Sequence, residues 1–177
     1  MSLAIVFDFD DTLTVKKAGK SKDYDYATYL KPLFGSDERI LMVVRYLRKF
    51  KANGANLYIC SRNDTDRIVR IIDDLHALGF DISVSQFKEI VGNEDNKKDF
   101  VNGLLYNKVV FIDNDVDEYE GVNVKTMLIA PNGGMTEEDF QRVSLLIAPS
   151  QEEEDVCTPD KRPRLSTSPT RSEFKVW

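Results

Sequence analysis

Short apolar runs alternate with segments of helical periodicity along most of the chain, a pattern typical of α/β domains with a parallel sheet. Five runs have the length of strands, and several are apolar almost throughout, as expected of strands buried on both faces. They span residues 3–7, 56–60, 81–85, 108–112 and 124–129. The pattern predicts a doubly wound, Rossmann-like sheet of five parallel strands with helices on both faces.

Helices are predicted between and after these runs, because apolar residues recur there at spacings of three and four. The second helix stops at Gly79, since glycine is frequent after helices, and the last follows Thr136, with Asp139 three residues on. The apolar sets are Ile40, Val43, Val44 and Leu47; Ile68, Ile71, Ile72 and Leu75; Phe100, Val101, Leu104 and Leu105; and Phe140, Val143 and Ile147. Each set is expected to cover one face of the sheet.

The composition of the chain changes after residue 148. Residues 149–177 are polar, charged and proline-containing and lack the apolar periodicity that a core requires, so we expect a disordered tail behind a single domain of residues 1–148. Within the tail, KRPR at 161–164 is a candidate nuclear-localisation signal. Thr158 and Ser168, each followed by proline, are candidate sites for proline-directed kinases.

Charge and composition narrow the class of protein. The 177 residues carry a net charge of −6, so no extended nucleic-acid-binding surface is expected. No stretch approaches the ~20 apolar residues of a membrane span, and two early aspartates are unlike a signal peptide, so we expect an intracellular protein that binds no membrane. Cys60 lies in an apolar run and Cys157 in the tail, which favours reduced thiols over a disulfide or a zinc site.

Acidic and hydroxyl residues follow three of the predicted strands. Asp8, Asp10 and Thr12 follow the first strand, Ser61 follows the second, and Asp113 follows the fourth. Because the carboxyl ends of parallel strands meet at one edge of a sheet, these side chains are expected to converge. Crowded carboxylates repel one another unless a cation relieves them, and Mg²⁺ needs only one or two protein carboxylates. The pattern therefore favours a magnesium site at this edge.

The motifs that contain these residues resemble those of the haloacid dehalogenase-like (HAD) superfamily. VFDFDDTLT is similar to motif I, YICSR to motif II and VVFIDND to motif IV, while NKKDF offers Lys97 or Lys98 as the motif III lysine. The four motifs occur in the family's order across the predicted domain. The resemblance implies phosphate chemistry, because the dehalogenases of the superfamily lack an aspartate at the position of Asp10.

The resemblance also implies roles for individual residues. Asp8 would attack phosphorus and form an aspartyl-phosphate, and Asp10 would act as general acid and base. Ser61 would hydrogen-bond a phosphoryl oxygen, and the lysine would supply positive charge, with Lys97 favoured over Lys98 for that role. The candidates for contact with the substrate are Thr12, Ser61, Arg62 and Lys98.

The metal ligands that the family implies are Asp8, the main-chain carbonyl of Asp10 and the acidic pair of motif IV. Here the second member of that pair is Asn114, which departs from the family's pattern. Either Asn114 binds the ion as a weaker, neutral ligand, or Asp113 takes its place. We favour Asp113.

Family members differ chiefly in their cap domains, and neither interval between the motifs is long enough to hold one. An open rim would admit a bulky phosphorylated substrate, such as a phosphoprotein or a nucleic-acid end, as well as a small metabolite. Arg62 either contacts this substrate or is an exposed loop residue. Four lysines and three tyrosines within residues 15–37 either hold a phosphorylated chain or belong to a solvated loop.

Two functions from different classes follow from these patterns. The leading interpretation is a Mg²⁺-dependent phosphomonoesterase, favoured by Asp8, Asp10 and Ser61. The alternative is a catalytically weak binding or regulatory protein on a HAD scaffold, whose tail recruits partners. Asn114 favours this alternative, because an amide is a weaker ligand for Mg²⁺ than a carboxylate.

Overall fold

Five parallel strands form the sheet at the centre of the molecule. The computed structural model describes residues 2–115 and 123–148. The strands are β1 (Leu3–Phe7), β2 (Asn56–Cys60), β3 (Phe87–Val91), β4 (Lys108–Asp113) and β5 (Val124–Leu128). Their order across the sheet is β3-β2-β1-β4-β5, so β1 lies in the middle. The predicted doubly wound α/β class is confirmed.

Helices lie between and after the strands, and three of them begin at side-chain caps. They are α1 (Lys31–Phe34), α2 (Asp37–Ala52), α3 (Thr65–Ala77), α4 (Lys97–Gly103) and α5 (Glu137–Ile147). Ser36 Oγ accepts a hydrogen bond at the start of α2, and Asp64 does so at the start of α3. Thr136 and Asp139 form the predicted capping box of α5. Such caps pair main-chain N–H groups that have no partner within the helix.

The two faces of the sheet bury alternate residues of each strand. On one face, Ile5 and Phe7 of β1 pack with the apolar sides of α2, α3 and α5. On the other face, Ala4 and Val6 pack with Val101 of the shorter α4. Helices thus cover both faces, and the three longest helices, α2, α3 and α5, lie on the first face.

The prediction of the third strand at residues 81–85 is wrong. Those residues form a turn, in which the Gln86 side chain donates to the Asp81 carbonyl and accepts from the Ser83 N–H. The strand is β3, six residues later, where Lys88 and Glu89 are exposed because β3 is an edge strand. Polar turn residues that bond to nearby main chain outweigh a short apolar run, which explains the error.

Leu105 was expected to point inward from the third predicted helix, which is α4 of the structure. This prediction is also wrong. α4 ends at Gly103, so Leu105 lies beyond the helix and is 96% exposed. Leu104 still packs against the sheet. The predicted tail, with its localisation and kinase motifs, lies outside the described residues.

The described connections contain helical turns but no inserted domain. Between β1 and α2 the chain forms the helical turns Phe9–Leu13 and Tyr26–Leu30 and then α1. Between β2 and β4 it forms α3, the short turn Val84–Gln86, β3 and α4. The carboxyl edge of the sheet is therefore left without a cap in the described part of the chain. Within residues 2–115 and 123–148, none of the helices combines the length and apolar character needed to cross a bilayer.

Candidate active site

The ends of three adjacent strands bring the predicted site residues together. The Asp8 N–H donates to the Ile112 carbonyl at 2.9 Å, which extends the pairing of β1 with β4 to the residue before Asp113. On the other side, the Ser61 N–H donates to the Val91 carbonyl at 2.9 Å, just after β2. Asp8, Ser61 and Asp113 thus leave the same edge of the sheet side by side.

One lysine lies between two buried carboxylates at this edge. Lys97 Nζ, in the first turn of α4, is 3.0 Å from Asp8 Oδ1 and 2.7 Å from Asp113 Oδ2. The three side chains are 11%, 6% and 1% exposed. We call this group the Asp8–Lys97–Asp113 cluster. One positive charge compensates two negative ones there, so the cluster keeps a surplus negative charge that favours a further cation.

Burial dominates the protonation of this cluster. It raises the pKa of Asp8 to about 6, since a carboxylate loses its hydration, and Lys97 only partly offsets this effect. The charge of Asp113 raises the pKa of Asp8 further. Burial would lower the pKa of Lys97, but the two carboxylates together raise it. Lys97 therefore stays protonated, and the pKa of Asp8 lies close to neutral pH.

Asp10 lies two residues after Asp8 and is held by neutral donors. Its Oδ1 accepts a hydrogen bond from the Ala18 N–H at 2.8 Å, and both of its oxygens lie 3.0 Å from Asn63 Nδ2. We call this group the Asp10 clamp. Burial raises the pKa of Asp10, while the donors from Ala18 and Asn63 oppose that rise. A carboxyl group with a raised pKa is suited to proton transfer near neutral pH.

Asn63 is the residue that sequence reasoning missed most clearly. It directly precedes Asp64, which is the cap of α3. The Asn63 side chain instead donates to Asp10 and to the Ala18 carbonyl at 3.1 Å, and accepts from Arg67. Because Asn63 and Asp10 are 53 positions apart, no local periodicity could have revealed this contact.

A glycine allows the turn that carries Asn63 to pack against the loop after β3. A Cβ atom on Gly92 would lie 2.4 Å from both the Asn63 carbonyl oxygen and the Thr65 nitrogen. The Gly92 N–H donates to Thr65 Oγ1 at 2.8 Å, and the Asn93 N–H donates to the Asn63 carbonyl at 2.7 Å. Any side chain at position 92 would therefore displace the turn that holds the Asp10 clamp.

A half-buried arginine, also missed by sequence reasoning, supports the turn that follows Asp10. The guanidinium of Arg39 donates to main-chain oxygens of Thr12, Leu13, Phe34 and Met135 at 2.7–3.3 Å. Gly134 makes room for it, because a Cβ atom there would lie 2.2 Å from Arg39 Nη2. Asp11 adopts a left-handed conformation with φ of 55° in the same turn. These contacts fix the backbone that carries Asp8 and Asp10.

A cavity of about 310 Å³ opens above the cluster and the clamp. It is lined by Asp8, Asp10, Asp11, Lys17, Ala18, Ser61, Arg62, Asn63, Arg67, Lys97, Asp113, Asn114 and Asp115. A second cavity of about 320 Å³ adjoins it and includes Lys98. Arg62 and Asp115 line both cavities and form an exposed ion pair at 3.0 Å.

The structure brings most of the predicted site residues to the first cavity, but not all of them. Those that line it are Asp8, Asp10, Ser61, Arg62, Lys97, Asp113 and Asn114. Lys98 lines the second cavity only. Thr12 is fully buried beneath the site and lines neither cavity, and its hydroxyl has no hydrogen-bond partner among the described residues. Ser61 Oγ accepts from the Asn63 N–H at 3.3 Å, so its own hydrogen is available to a ligand.

The oxygen atoms at the edge of the sheet fit a hard divalent cation. Within the described residues there is no group of three or more acidic, cysteine or histidine side chains with the geometry of a metal site. Mg²⁺ does not require one, because water and substrate oxygens complete its coordination. Asp8 Oδ1 is buried and, among the described residues, has an ion-pair contact to Lys97 but no well-aligned hydrogen bond. Asp8 and Asp113 provide two carboxylates, and the Asp10 carbonyl and Asn114 provide neutral oxygens.

No family model matches the chain, and no curated protein matches it at a significant level. The likeness to the HAD motifs therefore rests on the residues of this chain, and the chemistry of the site rests on their geometry.

Proposed function

We propose that this protein is a Mg²⁺-dependent phosphomonoesterase that resembles the HAD superfamily and forms an aspartyl-phosphate on Asp8. The arrangement of Asp8 and Asp10 carries this proposal. Asp8 lies beside a buried ammonium group, whereas Asp10 lies at the same cavity among neutral donors. The first environment suits a nucleophile that approaches an anion, and the second suits a group that exchanges a proton.

In the first step, an oxygen of ionised Asp8 attacks the phosphorus atom of the substrate. The bond between phosphorus and the ester oxygen breaks, and that oxygen takes a proton from Asp10. The raised pKa of Asp10 favours its protonated form, as this step requires. The products are the free alcohol and a phosphoryl group on Asp8.

In the second step, water attacks the same phosphorus atom, and Asp10, now a carboxylate, accepts a proton from it. The bond between phosphorus and Asp8 breaks, so inorganic phosphate leaves and both aspartates return to their starting states. The hydrogen bonds from Asn63 and Ala18 orient the Asp10 carboxyl group for these proton transfers.

Positive charge and hydroxyl donors stabilise the phosphoryl group during transfer. Lys97 compensates the charge that develops on its oxygens, and the Ser61 hydroxyl donates to one of them. When bound by Asp8, the Asp10 carbonyl and Asp113, with Asn114 as a neutral ligand, Mg²⁺ lowers the repulsion between the nucleophile and the phosphate. The uncapped edge favours a bulky phosphorylated substrate over a small, enclosed one.

Hydrolysis of para-nitrophenyl phosphate by the purified full chain tests the proposal. We expect turnover with Mg²⁺, no turnover with EDTA, and a loss on the order of 10³-fold or more for Asp8→Asn. Asp73→Asn makes the same chemical change on the exposed side of α3 and serves as the matched control, with full activity expected. A folded wild-type protein without turnover would contradict the proposal. It would favour the alternative, a binding or regulatory protein in which Asn114 weakens the metal site.

A further inference from the structure

A loop beside the candidate active site concentrates positive charge on an acidic protein. Residues 16–22, which we call the lysine loop, contain four lysines in seven positions, although the whole chain has a net charge of −6. All four lysine side chains are exposed. None forms an ion pair with a described residue. The lysines are Lys16, Lys17, Lys20 and Lys22.

The lysine loop is anchored to the catalytic side chains by its one buried residue. The Ala18 N–H donates to Asp10 Oδ1, and the Ala18 carbonyl accepts from Asn63 at 3.1 Å and from Arg67 at 3.0 Å. The Gly19 carbonyl accepts from the Tyr29 hydroxyl at 2.6 Å. The main chain of the loop is therefore fixed at the mouth of the cavity while its lysines face solvent.

The charges of the loop continue into the cavity. Lys17 lines the cavity, and the guanidinium groups of Arg62 and Arg67 line it as well. A ligand whose phosphate occupies this cavity therefore lies close to Lys17 and Ala18 of the lysine loop. The four loop lysines, which form no ion pair with a described residue, attract a ligand that carries more negative charge than its phosphate.

Two tyrosines that follow the lysine loop do not offer a surface for stacking bases. The rings of Tyr24 and Tyr29 pack edge to face at 4.6 Å, and the guanidinium of Arg70 covers Tyr24 at 4.7 Å. Among the described residues that line the first cavity, there is no aromatic side chain. Single-stranded nucleic acids are usually held by stacking on such rings as well as by charge. The surface therefore fits carboxylates better than nucleotides.

We propose that the lysine loop binds acidic residues that flank the phosphorylated residue of a protein substrate. The inference rests on the proposed phosphatase function and specifies its substrate as an acidic phosphoprotein segment. Beyond the loop the protein is acidic, so a long polyanion is repelled and a short acidic segment is favoured. The selectivity comes from several weak, exposed ion pairs that act together, so it is sensitive to salt.

Two phosphoserine peptides test the proposal, one flanked by glutamates and one by glutamines at the same positions. Their Kd values for the full chain are measured by fluorescence anisotropy in EDTA. We expect the glutamate peptide to bind about tenfold more tightly at low salt, the combined effect of a few exposed ion pairs. Raising the salt concentration from about 0.05 M to about 0.5 M should remove most of this difference.

A triple variant and its matched control assign the preference to the loop. Lys16→Gln, Lys20→Gln and Lys22→Gln together should make the two Kd values equal. The control combines Lys49→Gln, Lys88→Gln and Lys125→Gln, which change the net charge equally. These three exposed lysines lie in the last turn of α2 and at the second positions of β3 and β5. They are near the amino ends of the strands, whereas the candidate active site is at the carboxyl ends. The control should keep the preference for the glutamate peptide.

Several results would overturn the inference. Equal Kd values for the two peptides in the wild-type protein, or a preference that survives in the lysine-loop variant, would exclude an acidic protein segment as the ligand of the loop. Tighter, loop-dependent binding of a short oligonucleotide with a terminal phosphate would assign the loop to nucleic acid instead. Because Kd is measured without turnover, a failure of the phosphatase proposal would be seen separately, in the hydrolysis of para-nitrophenyl phosphate.

Discussion

Asp8 and Asp10 are two positions apart in the chain, yet the structure surrounds their carboxyl groups with different partners. Asp8 belongs to a buried group of charges, with Lys97 Nζ at 3.0 Å and Asp113 on the far side of that lysine. Asp10 belongs to a clamp of uncharged donors from Ala18 and Asn63. Burial raises the pKa of both carboxyl groups; the charges of Lys97 and Asp113 then modify the pKa of Asp8, whereas hydrogen bonds from Ala18 and Asn63 oppose the rise for Asp10.

This difference would allow one short turn to serve the two chemical roles that we propose for it. A nucleophile has to remain ionised while an anionic phosphate approaches, and a nearby ammonium group makes that possible. A general acid and base has to gain and lose a proton without moving, which neutral donors allow. Substitutions that exchange or remove these partners should affect the two roles separately.

Apart from the loss of Asp8 itself, the largest effect on turnover is expected for the carboxyl group of Asp10. Asp10→Asn removes the proton donor and acceptor, so hydrolysis should fall by about 10²–10⁴-fold. The loss should be greater for an alkyl phosphate than for para-nitrophenyl phosphate, because para-nitrophenolate leaves without a proton. Values of kcat/KM for the two substrates measure this difference, because kcat/KM reports the first step and not the hydrolysis of the shared intermediate. Equal losses for the two would argue against Asp10 as the general acid.

Removing the cation of the Asp8–Lys97–Asp113 cluster should have the next largest effect. Lys97→Met leaves two buried carboxylates facing each other and removes charge stabilisation from the phosphoryl group, so kcat should fall about 10²–10³-fold. Lys98→Met changes the neighbouring residue, which lines only the second cavity, and should reduce kcat much less. A larger loss for Lys98→Met than for Lys97→Met would reverse this assignment.

A smaller effect is expected when the Asp10 clamp loses the side-chain amide of Asn63. Asn63→Ala should lower kcat about tenfold, since an oriented hydrogen bond to Asp10 is lost. Loss of a donor that opposes the raised pKa of Asp10 should also move the pH profile of kcat upward. Asn63→Asp should move it further, because a second carboxylate would face Asp10. A pH profile that stays in place in both variants would show that Asn63 does not act through Asp10.

The smallest effect is a change in stability at the cluster. The folded-state pKa of Asp8 is raised from 3.8 to about 6, so its contribution to stability is greatest below pH 3.8 and is lost as pH rises through about 6. In EDTA, Asp8→Asn should therefore be more stable than the wild type at pH 7, by about 1 kcal/mol, with little difference at pH 4. This gain is smaller than the free energy that corresponds to the pKa shift alone, because asparagine loses the ion pair with Lys97. Urea unfolding at the two pH values measures it, and a less stable variant at pH 7 would contradict the expectation.

Local patterns were sufficient to predict the sheet and much of its edge. The apolar runs of β1, β2, β4 and β5 and the helical spacings of α2 and α3 are properties of neighbouring residues, and the structure has them in the predicted places. The rule that parallel strands carry sites at their carboxyl ends then placed Asp8, Ser61 and Asp113 together. β3 was misplaced because side chains of a polar turn bond to nearby main chain, which hydrophobic periodicity does not register.

The residues that hold the site residues in place could not be predicted in the same way. Asn63 meets Asp10, and Arg39 meets the Met135 carbonyl, across 53 and 96 positions of sequence. Such contacts depend on how the loops pack after the sheet has formed, and nothing in the local pattern marks them. The same is true of Thr12, whose position in the motif suggested a ligand contact and which the structure buries beneath the cavity.

The most direct test of the account is the covalent state of Asp8 when Asp10 can no longer activate water. We would mix the Asp10→Asn variant with para-nitrophenyl phosphate and Mg²⁺, quench with acid, and locate any phosphoryl group by mass spectrometry. Because the leaving group needs no proton, the first step should proceed and the second should stall, so one phosphoryl group should accumulate on Asp8. A variant that binds the substrate but carries no phosphoryl group, or carries it on another residue, would contradict Asp8 as the nucleophile.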